Sequence, residues 1–337
     1  MIKINKNLIF AYNKPPIIIA EVSGNHGGNK NKFLKLIESA FLNRADLVKI
    51  QTYEPQDITI NKKKEIFKIK SGIWKKKYLW DLYQEAHTPF RWHKDAFKIA
   101  KKYNKVLFSS PFSVRAVDLL EKFNCQIYKI ASFEITDLKL INYIASKNKP
   151  IIISTGMASF KEISRALIEI RKFHNKIIVM HCVSSYPTNL EDINLKRINK
   201  LKKIYNSCLV GLSDHTEDII SSLLSISHGV VAIEKHFKLS NKNQTVDSTF
   251  SITPKELSKL KSSSLSVYNS YKKKPKKSEK ISIKLRRSIY AIEDIEKNSF
   301  LSEKNIETFR PFVGVCASEY FKVLGAKVTK KIKVGNP

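Results

Sequence analysis

The chain has 337 residues, with 61 Lys+Arg against 30 Asp+Glu and a formal net charge of +31. A 42% hydrophobic content is enough for a sizeable core and excludes wholesale disorder. The longest apolar runs are strand-length, which excludes a membrane-spanning helix.

In chain order, PIIIAEVS precedes the amphipathic NKFLKLIESAFLNR, and LVKIQTY precedes a long insert and then FRWHKDAFKIAKKY. VLFSSPF precedes VRAVDLLEKF, IYKIAS precedes DLKLINYIASK, and PIIISTG precedes FKEISRALIEIRKF. IIVMHCVSS precedes NLKRINKLKKIY, LVGLSDH precedes DIISSLLSISHG, and VVAIEKHF precedes TPKELSKLKSSSLSVYNSYK. Continuous Val/Ile-rich strands joined by helical crossovers imply a parallel sheet. Eight of them within about 260 residues imply an α/β fold of the (β/α)8 TIM-barrel type. An open doubly wound sheet is the alternative, but no GxGxxG turn follows the first strand. The barrel is expected over residues 1–270 and a Lys/Ser/Pro linker, YKKKPKKSEKISI, over 271–283. A small β-rich appendage is expected over 284–337, too short for a second enzyme core.

The basic excess comprises 52 Lys and only 9 Arg, spread along the whole chain. Groove-reading proteins rely on the arginine fork, so no nucleic-acid partner is expected. A basic binding module on a dead barrel is the non-enzymatic alternative. The N-terminal MIKINKNLIF lacks the apolar core of a secretory signal. Cys125, Cys182, Cys208 and Cys316 are scattered and free of metal-ligand spacing, which fits a reducing cytoplasm.

Active sites of this barrel lie at the C-terminal ends of the strands. The polar residues expected there are Glu21, Lys49, Gln51, Ser109, Ser110, Lys129, Ser132, Ser154, Ser184, Tyr186, Ser213, His215, Glu234 and His236. His215 and His236 end consecutive strands, so their imidazoles can converge on a divalent metal, Mn²⁺ first, with Mg²⁺ or Co²⁺ as alternatives. Two hydrogen-bonded histidines without metal is the competing reading. His26 is expected near the same pocket, and His87 and His93 in structural roles. Lys49 and Lys129 with Ser132, Ser154, Ser184 and Ser213 form a candidate anion cradle. A Schiff-base lysine would use the same residues.

AEVSGNHGGNKNKFLKLIESA, ADLVKIQTY, HCVSSYPT, GLSDHT and VVAIEKHF resemble, in order, bacterial sialic acid synthases and their nonulosonate relatives. RSIYA and the FRP segment resemble the small antifreeze-like (SAF) domain of that family. GIWKKKYLWDLYQEAHTPFRWHKDAF and the SFEITD run are similar to the pseudaminic acid branch. The resemblance implies condensation of phosphoenolpyruvate with an N-acetylated amino sugar, with loss of phosphate by C–O cleavage. It implies a metal on His215 and His236, and phosphoenolpyruvate on Lys49, Lys129, Ser132, Ser154, Ser184 and Ser213. Glu21 and Glu234 would handle protons, and Gln51, Tyr186 and Asp247 would face the sugar. Arg310 would reach into a second subunit's barrel, which implies a homodimer. The chain ends at Gly335-Asn336-Pro337, slightly short for the family, so the last SAF strand is expected to be missing or frayed.

Overall fold

An antiparallel hairpin, β1 (Ile2–Lys3) and β2 (Ile9–Phe10), opens the chain and buries Phe10 completely. The computed structural model describes residues 1–242, 244–271 and 279–337, in two units, Met1–Tyr271 and Lys272–Pro337. In the first unit eight parallel strands close into a barrel: β3 (Ile17–Glu21), β4 (Leu47–Thr52), β5 (Val106–Pro111) and β6 (Tyr128–Ile130). The circuit continues through β7 (Ile151–Ser154), β8 (Ile177–Cys182), β9 (Leu209–Asp214) and β10 (Ala232–His236), which pairs back onto β3. All eight expected strands are present, and nearly every residue in them is buried, as in a sheet covered on both faces.

Helices α1 (Lys30–Leu42), α2 (Leu79–Ala86), α3 (His93–Lys102), α4 (Val114–Lys122) and α5 (Leu138–Ala145) follow the first four strands. Helices α6 (Phe160–Arg171), α7 (Lys196–Ile204), α8 (Ile220–Ser225) and α9 (Pro254–Tyr271) follow the last four. Their starts are written locally. Asn29, Ser113 and Asp137 accept from the backbone N–H three residues on, and Ser159 and Glu162 form a reciprocal capping box. In α6 Ile163, Ala166, Leu167 and Ile170 are buried, the i, i+3, i+4, i+7 stripe that packs a helix on a sheet. The insert between β4 and α3 contains α2.

The register sets the site. Glu21 lies opposite both Lys49 and His236, and Ser213 lies opposite Glu234. The other face of β9 and β10 carries a second charged cluster, Asp214 and Lys235, both fully buried with Nζ to Oδ2 at 3.4 Å. Asp214 also accepts from Thr216 N (2.9 Å), Ser221 Oγ (2.7 Å) and Ser222 Oγ, the serines coming from α8. Burial alone would raise the Asp214 pKa. Lys235 and these donors reverse the effect and hold it below the usual carboxylate range.

In the second unit α10 (Glu279–Ser282) precedes an antiparallel pair, β11 (Ser288–Ala291) and β12 (Ile306–Phe309), and α11 (Tyr320–Val323) follows. Ile289, Ala291, Ile295, Ile306 and Val328 form its own small core. The tail is not frayed: Ile332 bridges to Ile295, and Gly335 N donates to Ala291 O at 2.8 Å. Of the expected linker, residues 272–278 lie outside the described residues, whereas Glu279–Ser282 is helical. Among the described residues, no helix is long and apolar enough to cross a membrane.

Candidate active site

Period-2 alternation turns Lys49, Lys129, Ser213 and Glu234 toward the barrel axis, where they form a buried, charged floor. Lys129 Nζ lies 2.5 Å from Glu234 Oε1, and Lys49 Nζ lies 3.2 Å from the same oxygen. Lys49 also reaches Glu21 Oε2 at 3.0 Å, and Gln51 Nε2 donates to Glu21 Oε1 at 3.1 Å. Ser213 Oγ donates to Glu234 Oε1 at 3.2 Å. All four charged groups are 4% exposed or less, so their charges are barely screened by water.

The two carboxylates are pushed apart. Burial raises Glu21 from 4.5 to about 7, because Lys49 only partly offsets desolvation and the Glu234 charge adds repulsion. Burial would raise Glu234 as well, but two ammonium groups overwhelm it and hold this carboxyl well below the usual range. At neutral pH Glu234 is therefore ionised and Glu21 can gain or lose a proton. The folded state binds the Glu21 proton more tightly than the unfolded chain does. Its stabilising contribution is complete below pH 4.5 and is lost as pH rises toward about 7. Glu21→Gln, which keeps a neutral side chain, should gain stability relative to the parent across that window. Melting temperatures of the pair at pH 4.5 and 7 test this; a constant difference would refute it.

Above the floor is a cavity of about 510 Å³. Lys49, Gln51, Lys129, Ser132, Ser154, Tyr186, Ser213, His215, Glu234, His236 and Asp247 all line it. Glu21 sits behind Lys49 and Gln51. Ser184 is tucked behind the loop after β7, where a Cβ on Gly156 would collide with Ser184 Oγ and with Ser132. Gly156 has φ +42°, so a side chain there is both strained and obstructed. The buried hydroxyls of Ser154 and Ser184 have no hydrogen-bond partner among the described residues. Unpartnered donors beside two ammonium groups suit an anionic ligand. Gly156→Ala should therefore raise the apparent KM for the anionic substrate about tenfold or more, roughly 1.4 kcal/mol. Steady-state kinetics measure this, and an unchanged KM would remove these serines from the cradle.

His215 and His236 converge with ring centroids 5.3 Å apart. The His215 Nδ1 lies 3.0 Å from Val183 O, which can only accept, so Nδ1 carries a proton and, in the neutral ring, Nε2 holds the lone pair. Burial, together with the charges of His215, Lys49 and Lys129, holds the His236 pKa well below its ordinary value, so this ring is neutral. Burial would lower the His215 pKa, but the Cys182 charge and hydrogen bond and the Val183 carbonyl outweigh it and raise the value above ordinary. Two imidazoles with Nδ1 engaged fit a divalent metal, which would take the deprotonated Nε2 atoms and displace any proton from His215. Among the described residues no group of three or more His, Cys, Asp or Glu is arranged around such an ion, so further ligands would be substrate or water oxygens.

Other expectations shift. His26 does not line the cavity. It is fully buried, edge-on to Phe33 and Trp92, with Thr88 Oγ1 at 3.2 Å. His93 is buried against Thr52 Oγ1 at 2.8 Å, and His87 accompanies Glu54, both structural as expected. Ser109 hydrogen-bonds Thr52 and the Ile50 carbonyl and is not in the lining. Arg310 is exposed on the second unit.

The sequence reading missed Glu134, in the turn after β6, which burial pushes up to about 7 and whose Oε2 has no hydrogen-bond partner among the described residues. It also missed the outer wall of Ile58, Ile69, Trp74, Leu79, Leu82 and Phe112, most of it from the insert. The Trp74 indole N–H donates to Val246 O at 3.0 Å and its ring lies 5.6 Å from that of Tyr186. The number of Ile, Trp and Leu residues in the insert, more than a solvated connection needs, was the available signal.

A closed parallel barrel with a buried, charged floor at the C-terminal strand ends defines a (β/α)8-barrel enzyme. The NeuB family model matches residues 36–276, and the chain belongs to that family, the sialic acid synthases. The pseudaminic acid synthase of Helicobacter pylori is 40% identical over 329 residues, 96% of each chain. The N,N'-diacetyllegionaminic acid synthase of Campylobacter jejuni subsp. jejuni serotype O:2 is 37% identical, covering 95% of this chain and 98% of that one. Among solved structures, the N-acetylneuraminic acid synthetase of Leptospira borgpetersenii serovar Hardjo-bovis, in complex with citrate, superposes with a TM-score of 0.72. It is 32% identical and covers 80% of this chain and 91% of that one. The chain is a nonulosonate synthase.

Proposed function

We propose that this enzyme condenses phosphoenolpyruvate with 2,4-diacetamido-2,4,6-trideoxy-L-altrose and water, giving pseudaminic acid and phosphate by C–O cleavage. The observation that carries the reading is the floor: two buried ammonium groups, an ionised carboxylate between them and unspent serine hydroxyls above. Lys49 and Lys129 hold the carboxylate and phosphate of phosphoenolpyruvate, while Ser132, Ser154, Ser184 and Ser213 supply directed donors. Glu234 fixes both ammoniums and faces the positive charge that develops at C2 once C3 has attacked the aldehyde. Glu21, behind Lys49 and with a pKa of about 7, is the reservoir for the proton released when water adds at C2, reached through its neighbours and not by direct contact. His215 and His236 would hold a divalent ion such as Mn²⁺, which supplies a Lewis acid for the aldehyde oxygen. Gln51, Tyr186, Asp247 and Glu134 offer polar partners to the sugar. The enzyme works in the cytoplasm as a homodimer in which Arg310 contacts the sugar's acyl group in the barrel of a second copy.

The Helicobacter pylori relative supports the choice of sugar, and the apolar wall supports only its 6-deoxy end. C1 reacts over the floor, so the far end of the sugar points outward toward Ile58, Ile69 and Trp74. A C6 methyl buried there gains about 0.8 kcal/mol. A hydroxymethyl leaves its hydroxyl unpaired at a cost of about 1–3 kcal/mol. The legionaminic acid relative at 37% identity keeps the matching legionaminate precursor as the second reading. Phosphate release from phosphoenolpyruvate is measured with each precursor sugar and with N-acetylmannosamine, Mn²⁺ present. The altrose derivative should be used with the highest kcat/KM. Release with none of the sugars would overturn the synthase reading, and a faster legionaminate precursor would overturn the substrate.

A further inference from the structure

The two metal-directed histidines are oriented by different devices. His215 is oriented by a backbone carbonyl, Val183 O at 3.0 Å. Among the described residues, no carbonyl pairs with His236 Nδ1. Its nearest carboxylate oxygen, Asp247 Oδ2, is 4.0 Å away, beyond hydrogen-bond reach. Ser23 stands between them. Its Oγ is 3.1 Å from His236 Nδ1 and 2.5 Å from Asp247 Oδ2.

A serine hydroxyl has one proton, and a carboxylate can only accept. The Ser23 proton therefore goes to Asp247, and the Ser23 lone pair accepts from His236 Nδ1–H. The direction of this relay leaves His236 Nε2 with its lone pair facing the cavity. Asp247 is itself held by a second donor, Gly24 N at 3.2 Å. Ser23 is 1% exposed and holds φ +40°, a left-handed conformation that disfavours side chains. Strain of this kind persists where the surroundings over-determine a residue, commonly at functional sites.

We propose that Ser23 is a positioning residue which, relaying Asp247 to His236, fixes the tautomer and ring orientation that let His236 bind the metal. The proposal rests on the metal reading above. It also gives Asp247 a role beyond facing the sugar, since its charge acts on His236 through the serine. Indirect partners of this kind alter metal affinity by about 10–100-fold when removed.

The experiment is a titration of the metal-free protein with Mn²⁺, following the sharp magnetic-resonance spectrum of the free ion, alongside thermal melts. Ser23→Gly removes the hydroxyl and relieves the strained φ. Relief of the strained φ opposes the loss of the hydrogen bond to Asp247, so the variant should stay folded and melt close to the parent temperature yet bind Mn²⁺ about 10–100-fold more weakly. Asp247→Ala should weaken binding to a similar extent. The double variant should then lose little more, because both changes break one relay. Parent-like affinity in Ser23→Gly would overturn the proposal, as would fully additive losses in the double variant. If the parent itself binds no Mn²⁺, the metal reading falls and this inference with it. Phosphate release in the sugar assay reports separately on the synthase reading.

Discussion

Lys129→Met should lower kcat/KM for phosphoenolpyruvate by about 10²–10³-fold, the usual result of deleting one pre-organised charge stabiliser. Lys129 is 2% exposed and holds Glu234 Oε1 at 2.5 Å, so two effects combine. The anion loses one of its two fixed cations. Glu234 loses the nearer of its partners, and its pKa should climb toward the ordinary range as burial regains the upper hand. Breaking a buried ion pair typically costs about 3–5 kcal/mol, and Lys49, at 3.2 Å from the same oxygen, should keep the loss at the lower end. Kinetics and a denaturant melt of the same variant measure both quantities. A variant within tenfold of the parent in kcat/KM would remove Lys129 from the anion site.

Chelation should bring phosphate release close to background, and Mn²⁺ should restore it in the parent but not in His215→Ala or His236→Ala. A Lewis acid at a carbonyl oxygen is worth several kcal/mol, so the expected loss is about 10³-fold or more. Either histidine alone should suffice to cause it, since one imidazole with substrate oxygens makes a poor site for the ion. The readout is turnover before and after chelation, with Mn²⁺ binding followed in parallel. Full activity of either variant, or activity indifferent to chelator, would refute the assignment.

Much of this site was legible in the sequence because a barrel strand encodes its own geometry. The run LVKIQT reads as buried on both faces, and its polar members Lys49 and Gln51 fall two apart and must share a side. The same rule placed Ser213 with His215 and Glu234 with His236. Depth was not legible. Glu21 and Glu234 look alike as letters, and only the number of ammonium groups around each oxygen separates a carboxyl near 7 from one held low. His26 misled because the turn Ser23–His26 reverses the chain after β3 and sends that ring toward Phe33 and Trp92. Glu134 and Trp74 were missed for a related reason. They sit on connections whose path depends on long-range contacts, such as the Trp74 bond to Val246, and not on strand alternation.

The serines of α8 set a trap for anyone wishing to make this enzyme more robust. ISSLLS is a poor helix former, and replacing Ser221 and Ser222 by alanine is the standard remedy in a short helix. Both hydroxyls, however, are spent on Asp214, which with Lys235 lies fully enclosed behind the two histidine-bearing strand ends. Each alanine would remove a charge-assisted hydrogen bond from a buried carboxylate, a loss of about 1.5–3 kcal/mol against a propensity gain of a few tenths. Melting temperature should fall where a helix-propensity scale says it should rise. Thermostabilising changes are better sought at exposed positions of α6 or α9 such as Ile168 and Leu265.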